Sequence, residues 1–401
     1  MPREINHHRD SPNERRLPGM QTIYFDYNAT TPLDVSVREA MLPFLGSTWG
    51  NPSSVHHVGR QARALLDEDR DRMSSVLRCK PSEVVFTSGG TESANLAVIG
   101  TARSLREKGR HLITSSIEHH AVLHACEHLA RHEGFDLTVL PVTSEGLIDP
   151  AVLQNAIRPD TILVSIMAAN NEIGTIQPIA EIGALCRNHG VLFHTDAVQW
   201  FGKQDFSDIH QLNADLVSIC AHKIHGPKGA GALYIKSPLQ PQPIFFGGGH
   251  ENERRAGTEN LAGIAGLVEV VERFVRQPVF AKAQLSGLTG RLIQLVDSLD
   301  GVHLVGSRQH RLANTIAFVV ERTDSIALLA GLDMEGICAS SGSACSAGSL
   351  EPSHVIRALG LGESLAHSLV RFSLGRDSTL EEVSLTEQIL PEVILRAQRS
   401  E

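Results

Sequence analysis

A lysine directly after a buried strand pattern is the first residue of this sequence that could do chemistry. Lys223 lies in SICAHKIHGPKGAG, residues 218–231, where the apolar strand pattern of 215–219 ends. Burial and nearby cations lower the pKa of a lysine and make its amine nucleophilic, as Schiff-base formation requires. His222 beside it could hold a phosphate or orient a ring. The alternative is a lysine that only extends its charged end into solvent, and the segment alone leaves both open.

A glycine turn ahead of a helical pattern is a candidate anion site. In TSGGTESANLAV, residues 87–98, a strand ends, two glycines turn the chain, and a helix begins at about Thr91. Backbone amides at a helix N-terminus, here at Gly90 and Thr91, suit a phosphate. Ordinary capping by Thr91, Glu92 and Ser93 explains the same residues, so this motif alone is weak.

Two charged residues interrupt apolar strand patterns. Asp196 lies in HTDAVQWFGK, residues 194–203, and Arg371 lies in LVRFSLGR, residues 369–376. A buried carboxylate is costly unless it is paired, and the pyridinium nitrogen of a cofactor would pair with Asp196. A substrate carboxylate would be a bidentate partner for Arg371. The alternatives are backbone or cationic partners for Asp196 and an internal salt bridge for Arg371.

Cys345 lies among small residues in ASSGSACSAGSLEPSHV, residues 339–355. This composition predicts a mobile loop, in which an exposed thiolate can act as a nucleophile. A cysteine in an inert linker is the alternative. The 6 cysteines are scattered without CxxC spacing, so we expect reduced thiols rather than a disulfide framework. The other five are Cys79, Cys126, Cys186, Cys220 and Cys338.

Alternating strand and helix patterns must position these residues. A helix is predicted over 61–77, and buried strands at 83–87, 111–117, 161–166, 191–194 and 215–219. This alternation predicts a mainly parallel sheet covered by helices. After about residue 275 the patterns predict a smaller α+β unit. Its elements are a helix at 280–299, strands at 302–305, 315–320 and 369–374, a helix at 352–359, and a closing helix.

Length and composition narrow the function classes. A chain of 401 residues predicts two to three domain-sized units, and the net charge of −9 argues against a nucleic-acid partner. No apolar run is long enough for a membrane span. Residues 1–19 are polar and lack an apolar stretch, so they predict a disordered extension rather than a secretory signal, and Met20 is an alternative start.

Taken together, the motifs resemble the class V aminotransferase-like enzymes that use pyridoxal 5'-phosphate (PLP), and within them the NifS/IscS-type cysteine desulfurases. The matching segments follow the family's order from residue 24 to residue 376. They are FDYNATTPLD, NPSSVH, TSGGTESANLA, EHHAVL, NNEIGTIQPI, HTDAVQ, AHKIHGPKGAG, GGGHENERRAGTEN, SSGSACSAGSLEPSHV and RFSLGR. The resemblance implies the α/β PLP-dependent transferase fold type I. In that fold, helices cover both faces of a mainly parallel sheet in a large domain, and a smaller α+β domain accompanies it.

The expected domains are an extension at 1–19, a segment at 20–30 that packs with the small domain, a large PLP-binding domain at 31–275, and a small domain at 276–401 that carries the catalytic cysteine loop. By resemblance three residues are catalytic. Lys223 forms the Schiff base with PLP, His119 stacks on the ring and helps in proton transfer, and Cys345 accepts the sulfur.

The remaining site residues are also implied by the resemblance. The expected cofactor contacts are Gly90, Thr91 and His222 to the phosphate, Asp196 to the ring nitrogen, Gln199 to the ring hydroxyl, Asn171 beside cofactor and substrate, Cys220, and Thr258 to the phosphate of a neighbouring subunit. Asn28, Asn171 and Arg371 would hold the substrate. Cys220 stands where relatives often have a serine, and a thiol is a weaker donor. Cys338 stands where alanine is usual and is expected to be a small buried hydrophobe, with a disulfide to Cys345 as the alternative.

The function implied is the conversion of L-cysteine to L-alanine, with the sulfur carried as a persulfide on Cys345. The expected setting is a cytoplasmic homodimer with shared active sites and no metal, and the expected partner is a sulfur-acceptor protein such as an iron–sulfur scaffold. One alternative is a selenocysteine lyase or aminotransferase of the same fold, against which the cysteine-bearing loop argues. The other is an inactive scaffold that binds iron–sulfur assembly proteins, against which Lys223 and Cys345 argue.

Overall fold

The computed structural model describes residues 22–342 and 352–399, and one large mixed sheet lies at its centre. The strands of the described chain are β1 (Ile23–Tyr24), β2 (Val84–Thr87), β3 (His111–Ser115), β4 (Asp136–Leu140), β5 (Thr161–Ser165), β6 (Leu192–Asp196), β7 (Leu216–Cys220), β8 (Gly231–Ile235), β9 (Val302–Leu304), β10 (Thr315–Val320), β11 (Ile337–Cys338) and β12 (Val370–Ser373).

Helices connect and cover these strands. They are α1 (Val35–Leu45), α2 (His57–Leu77), α3 (Gly90–Asn95), α4 (Thr101–Leu105), α5 (His120–His132), α6 (Pro150–Ala156), α7 (Ile179–Asn188), α8 (His250–Glu253), α9 (Leu261–Phe274), α10 (Lys282–Ser298), α11 (Ser325–Met334), α12 (His354–Ala358), α13 (Glu363–Ala366) and α14 (Leu380–Gln398). A π-helical turn, Leu96–Gly100, joins α3 to α4, so the helical run continues from Gly90 to Leu105. None of the helices in the described part of the chain has the length and apolar content of a membrane span.

The central sheet has seven strands in the order β2-β8-β7-β6-β5-β3-β4. Neighbouring strands from β4 to β7 are parallel, whereas β8 pairs antiparallel with both β7 and β2. Parallel neighbours require crossover connections, which helices such as α5 and α7 supply. The predicted fold class, a mainly parallel sheet covered by helices, is confirmed.

Both faces of the sheet are buried, which explains the continuous apolar letters of its strands. Successive residues of a strand point to opposite faces. Leu112 therefore joins one hydrophobic core and Ile113 the other, and Leu216 and Val217 divide in the same way. Each such side chain contributes about 1.5–3 kcal/mol through burial, and this fixes the register that brings the strand ends to one edge.

A second, smaller sheet and the N-terminal segment complete the fold. Strands β12, β10 and β9 are antiparallel, and β1 pairs in parallel with β11. Asp26 forms a further bridge with Ser373 of β12. The residues after β1 are thus held against strands from the far end of the chain. The division into domains near residue 275 stays a prediction, and the predictions for residues 1–19 and Met20 lie outside the described residues.

The predicted elements differ from the structure at their ends, and the strands β1, β4, β8 and β11 were not predicted. Helix α2 begins at His57 rather than at residue 61, because His56 caps it by accepting a hydrogen bond from the Gly59 amide at 3.2 Å. Strand β4 was not predicted because it lies at the sheet edge and is partly exposed, so its letters are less apolar. Strand β8 was not predicted because it follows a glycine-rich turn and begins with two small residues, Gly231 and Ala232.

Candidate active site

One cavity lies at the carboxyl ends of the parallel strands, the edge at which open α/β sheets bind ligands. Its volume is about 240 Å³. The residues that line it are Asn28, Ala29, Gly90, Thr91, His119, Met167, Ala169, Asn171, Asp196, Val198, Gln199, Cys220, His222, Lys223 and Arg371. Thr258 does not line this cavity and is exposed in the single chain. Cys345 lies outside the described residues.

Lys223 follows β7 and points its amine into this cavity. Its Nζ donates hydrogen bonds to the backbone carbonyls of Asn28 at 2.7 Å and Ala29 at 2.8 Å. Burial lowers the pKa of Lys223 to about 8, and the positive charge of Arg371 adds to that effect. The amine is therefore partly neutral near physiological pH, which makes it a nucleophile.

Asp196 ends β6 and carries a buried carboxyl group, 7% exposed. Its Oδ1 accepts a hydrogen bond from the Val198 amide at 2.9 Å. Burial raises the pKa of Asp196 to about 6, although Lys223 acts in the opposite direction. A carboxylate in such a place is stabilised by a cation, and a protonated ring nitrogen is one that would fit.

His119 caps the N-terminus of α5, where its Nδ1 accepts a hydrogen bond from the Ala121 amide at 3.1 Å. In the neutral ring the proton is then on Nε2. Burial lowers the pKa of His119 to about 4, and the charge of Lys223 contributes. The imidazole is therefore neutral at pH 7 and can stack on an aromatic ring or accept a proton.

The part of the cavity near Gly90, Thr91 and His222 is suited to an anion. Gly90 and Thr91 open the helical run that follows β2, so their amides face outward from its first turn. A Cβ on Gly90 would lie 2.7 Å from Cγ2 of Val198, so only glycine allows this close approach. The Nδ1 of His222 lies 3.1 Å from the Thr30 hydroxyl. Capping is present as well, since the Glu92 carboxylate accepts the Ser88 amide at 2.8 Å.

Cys220 also lines the cavity, and burial raises the pKa of its thiol. Its sulfur lies 4.0 Å from the carbonyl oxygen of Ala230, a weak contact. A neutral thiol gives an anion little stabilisation, so the backbone amides and His222 are the stronger candidates for a phosphate. Cys338, on β11, is half-buried.

Arg371 lies on β12 and is 1% exposed. One Nη donates to Asp26 at 2.5 Å, and the other donates to the carbonyls of Asn171 at 2.8 Å and Gly342 at 2.7 Å. Its Nε is buried without a hydrogen-bond partner in the described chain. The internal salt bridge is therefore present, and the guanidinium also lines the cavity, whereas its contact with a substrate carboxylate stays a prediction.

Sequence analysis missed Lys203, which lies behind the cavity wall. Its Nζ donates to Oδ1 of Asn28 at 2.6 Å and to Oε1 of Gln199 at 2.5 Å. Asn314 also donates to Oδ1 of Asn28, at 3.1 Å. A charged residue close after the buried Trp200 and Phe201 was the available signal, because solvated lysines do not normally follow buried aromatic residues.

Two buried acids support the cavity from outside. Glu118 accepts hydrogen bonds from the Ser115 hydroxyl at 2.6 Å and the Met167 amide at 2.9 Å, and burial raises its pKa to about 8. Glu172, 1% exposed, accepts the Ser353 hydroxyl at 2.5 Å. A Cβ on Gly342 would lie 2.6 Å from Oε2 of Glu172. Glu172 therefore lies against Gly342 and Ser353, close to the two points where the segment with Cys345 joins the described chain.

The comparisons with known proteins agree with this arrangement. The family profile described as aminotransferase class-V matches residues 23–385. A cysteine desulfurase IscS of Dictyoglomus turgidum is 46% identical over 373 residues, which cover 93% of this chain and 94% of the relative. A cysteine desulfurase IscS of Methanosarcina thermophila is 45% identical over 374 residues, which cover 93% of this chain and 92% of that protein.

Solved structures show the same similarity. A NifS-like protein superimposes with a TM-score of 0.86 at 34% identity, covering 94% of this chain and 100% of its own. A structure described as SspA in complex with cysteine superimposes with a TM-score of 0.78 at 38% identity, covering 89% of this chain and 100% of its own. Across residues 22–342 and 352–399, no three His, Cys, Asp or Glu side chains are grouped to hold a metal ion.

Proposed function

Since the chain belongs to the class V aminotransferase family and is a cysteine desulfurase of the IscS type, we propose that it converts L-cysteine to L-alanine with PLP and carries the released sulfur on Cys345. The observation that supports this most directly is the meeting of Lys223, Asp196 and Arg371 in one buried cavity. The relatives carry the desulfurase name, which does not favour a lyase, an aminotransferase or an inactive scaffold.

The residues present fit PLP. The amine of Lys223 has a lowered pKa, the carboxyl of Asp196 is buried without a cationic partner in the described chain, and backbone amides open a helix at Gly90 and Thr91. These groups match an aldehyde carbon, a ring nitrogen and a phosphate, respectively. Gln199 would contact the ring hydroxyl, and His119 the ring face. When bound, PLP supplies an electrophilic carbon for amines and a ring that takes up electrons released at Cα.

The chain's own groups perform the remaining steps. Arg371 would hold the cysteine carboxylate, with Asn28 and the Asn171 backbone beside it. Lys223, released by the substrate amine, is the base positioned to take the Cα proton. The Cys345 thiolate attacks the substrate sulfur, so that an S–S bond forms as the Cβ–S bond breaks. The electron pair of the broken bond stays with carbon, which takes up a proton as alanine forms. His119 is the neutral group available to move a proton beside the ring.

The proposal is tested by sulfide and alanine release from cysteine in the presence of dithiothreitol, which reduces the persulfide to a thiol and frees sulfide. We expect wild type to be yellow and active. Cys345→Ala should be yellow and release neither product, whereas Lys223→Ala should lose both colour and turnover. Lys108→Ala is the matched control, because Lys108 is an exposed lysine that does not line the cavity. Full turnover by Cys345→Ala would contradict the sulfur role and favour a lyase.

The same proposal includes a homodimer in which Thr258 contacts the phosphate of the partner's cofactor. The support is exposure of large apolar groups, since Trp49 is 74%, Val55 87% and Phe246 84% exposed in the single chain. The segments that carry these residues lie close to each other at a second cavity, which is lined by both Ser53 and Gly248.

Shared sites predict complementation between two defective chains. A mixed dimer of Lys223→Ala and Thr258→Val chains regains one intact site, because the wild-type Lys223 and Thr258 then meet across the interface. Mixing should therefore raise activity above that of either variant. If no mixture exceeds the Thr258→Val chain alone, Thr258 acts within its own subunit or not at all.

We propose further that the enzyme acts in the cytoplasm and delivers sulfur to an acceptor protein such as an iron–sulfur scaffold. The support for the location is that Cys79, Cys126, Cys186 and Cys220 are free thiols, as is usual in a reducing compartment. Transfer of radiolabelled sulfur from the loaded enzyme to a purified scaffold protein tests the acceptor. Label that stays on the enzyme would exclude that scaffold as the acceptor.

A further inference from the structure

Lys203 is a buried cation for which the reaction described above has no use. It is 2% exposed, and its Nζ lies 5.0 Å from the centroid of the Phe280 ring. No Asp or Glu of residues 22–342 and 352–399 forms an ion pair with it. Burying an ammonium group without a carboxylate partner is costly, so a lysine at this position requires a reason beyond packing.

The partners of Lys203 are two amides that line the ligand cavity. Nζ donates to Oδ1 of Asn28 at 2.6 Å and to Oε1 of Gln199 at 2.5 Å. Both amides are themselves buried, at 1% and 4% exposure. Lys203 therefore does not face the ligand, but it touches two side chains that do.

An ammonium group can only donate, and this decides how the two amides are turned. Each must present its oxygen to Lys203, so each turns its NH₂ group the other way. Nε2 of Gln199 then donates to the backbone carbonyl of Asn28 at 2.9 Å. Nδ2 of Asn28 donates to the Thr315 hydroxyl at 2.9 Å and to the Asn171 carbonyl at 3.2 Å. Without the ammonium, either amide could rotate by half a turn and present a carbonyl oxygen to the cavity.

Asn314 and Thr315 hold the Asn28 amide in the same orientation. Asn314 donates to Oδ1 of Asn28 at 3.1 Å and to the Leu374 carbonyl at 3.1 Å, and the Thr315 hydroxyl donates to Oδ1 of Asn314 at 3.1 Å. Each hydrogen-bonding position of the Asn28 amide is thereby used. The network is satisfied throughout, and it rests on the one charged donor.

From this geometry we infer that Lys203 is a positioning residue. It holds the amide oxygens of Gln199 and Asn28 away from the cavity. An anionic oxygen of the bound ligand, above all the ring oxygen of PLP, then meets the second N–H group of Gln199, whose first N–H donates to the Asn28 carbonyl, rather than an amide oxygen. Its charge also favours the deprotonated form of that oxygen. This inference rests on the proposed function and names how one part of the same site is organised.

The electrostatics around Lys203 disfavour its positive charge as long as no anion is bound in the cavity. Burial lowers the pKa of Lys203 well below its usual value, and the charges of Lys223 and Arg371 act in the same direction. The three cationic side chains therefore lie in one region of the folded protein. An anion bound in the cavity would relieve their mutual repulsion, so the ammonium form of Lys203 and an anionic ligand stabilise each other.

The test is a pH titration of the visible absorbance of the PLP-loaded protein, with PLP affinity of the cofactor-free chain as a second measurement. Lys203→Met keeps the side-chain length but removes the charge and the donors. We expect the pH at the midpoint of its absorbance titration to rise by about one unit and its PLP affinity to fall about tenfold. Lys236→Met removes the same charge outside the cavity and should match wild type. Lys203→Gln keeps a neutral donor and should fall between.

A double-mutant cycle separates positioning from folding. If Lys203 acts mainly through Gln199, replacing it in a Gln199→Leu chain should change the midpoint much less than in wild type. A lower melting temperature with an unchanged midpoint would mean a structural role and would overturn the inference. If wild type takes up PLP and Lys203→Met titrates identically, only this inference fails. If wild type takes up no PLP, the proposed function fails with it.

Discussion

Arg371 donates a hydrogen bond of 2.7 Å to the carbonyl oxygen of Gly342, the last described residue before the segment that carries Cys345. The guanidinium that lines the ligand cavity is therefore also bonded to the base of the segment with the predicted sulfur acceptor. Arg371 would therefore connect a carboxylate bound in the cavity to the position of Gly342. Four predictions follow from contacts of this kind.

We expect Arg371→Lys to lower kcat/KM for cysteine by about 10- to 100-fold, mainly through KM. Lysine keeps the charge but loses the planar fork, and it leaves Asp26, Asn171 and Gly342 with fewer bonds. Steady-state kinetics measure this. Arg376→Lys is the control, because Arg376 pairs with Asp34 away from the cavity. Equal kinetic effects of the two substitutions would argue against a substrate contact at Arg371.

PLP capture by the cofactor-free chain should accelerate as pH rises, with a midpoint near 8. The neutral amine of Lys223 is the nucleophile, and the neutral fraction grows through its lowered pKa of about 8 rather than through 10.5. Stopped-flow absorbance over pH 6–10 measures the rate. Lys108→Ala, which removes an exposed lysine that does not line the cavity, should keep the same midpoint. A midpoint close to that of free lysine would show that burial does not activate the amine.

Asp196→Asn should stabilise the cofactor-free protein while impairing the enzyme. The folded chain keeps the Asp196 proton up to a pKa of about 6, whereas the unfolded chain loses it near 3.8. Stability is therefore lost as pH rises between these values, and the full cost is present above pH 6. We expect a gain of about 1–3 kcal/mol at pH 7.5 and a smaller gain at pH 5.

Turnover of the same Asp196→Asn variant should fall about 100-fold, because the variant lacks the charge that we propose to face the ring nitrogen. Thermal unfolding of the cofactor-free protein at both pH values, together with sulfide release, tests the pair of effects. A variant that is destabilised equally at pH 5 and pH 7.5 would contradict the assignment of a buried, ionised carboxylate.

Gly342→Ala should cost about 1–3 kcal/mol of stability and impair sulfur release more than PLP capture. Gly342 has a φ of +120°, and an added Cβ would lie 2.6 Å from Oε2 of the buried Glu172. Gly190→Ala is the matched control, since Gly190 has a φ of +70° but no atom within 4 Å of the added Cβ. If both variants lose the same stability and neither changes sulfide release, the contact with Glu172 has no functional effect.

Sequence patterns predicted the residues whose charge conflicts with their surroundings. Asp196, Lys223 and Arg371 stand in or beside apolar strands, where an ionised group is conspicuous because burial is costly. The structure brings all three to one cavity. The roles assigned to individual residues stay predictions, and those of Thr258 and Cys345 depend on a second subunit and on a segment outside the described residues.

Contacts between distant parts of the chain could not be predicted in the same way. The pairing of β1 with β11 involves two residues on each side, too few to leave a periodic signal. Lys203 gave only the weak signal of a lysine close after two aromatic residues, because its partner Asn28 lies 175 positions away in the sequence. Local pattern indicates which residues are costly to bury, but tertiary packing decides which groups surround them.

The ion pair between Asp26 and Arg371 joins residues that are 345 positions apart. A ribosome makes Asp26 first and Arg371 345 positions later, so the two cannot meet until all of the chain between them has been synthesised. A growing chain can form the central sheet and present Lys223 well before then. At that point it has neither the guanidinium nor Cys345, and the proposed sulfur chemistry waits until both have been made.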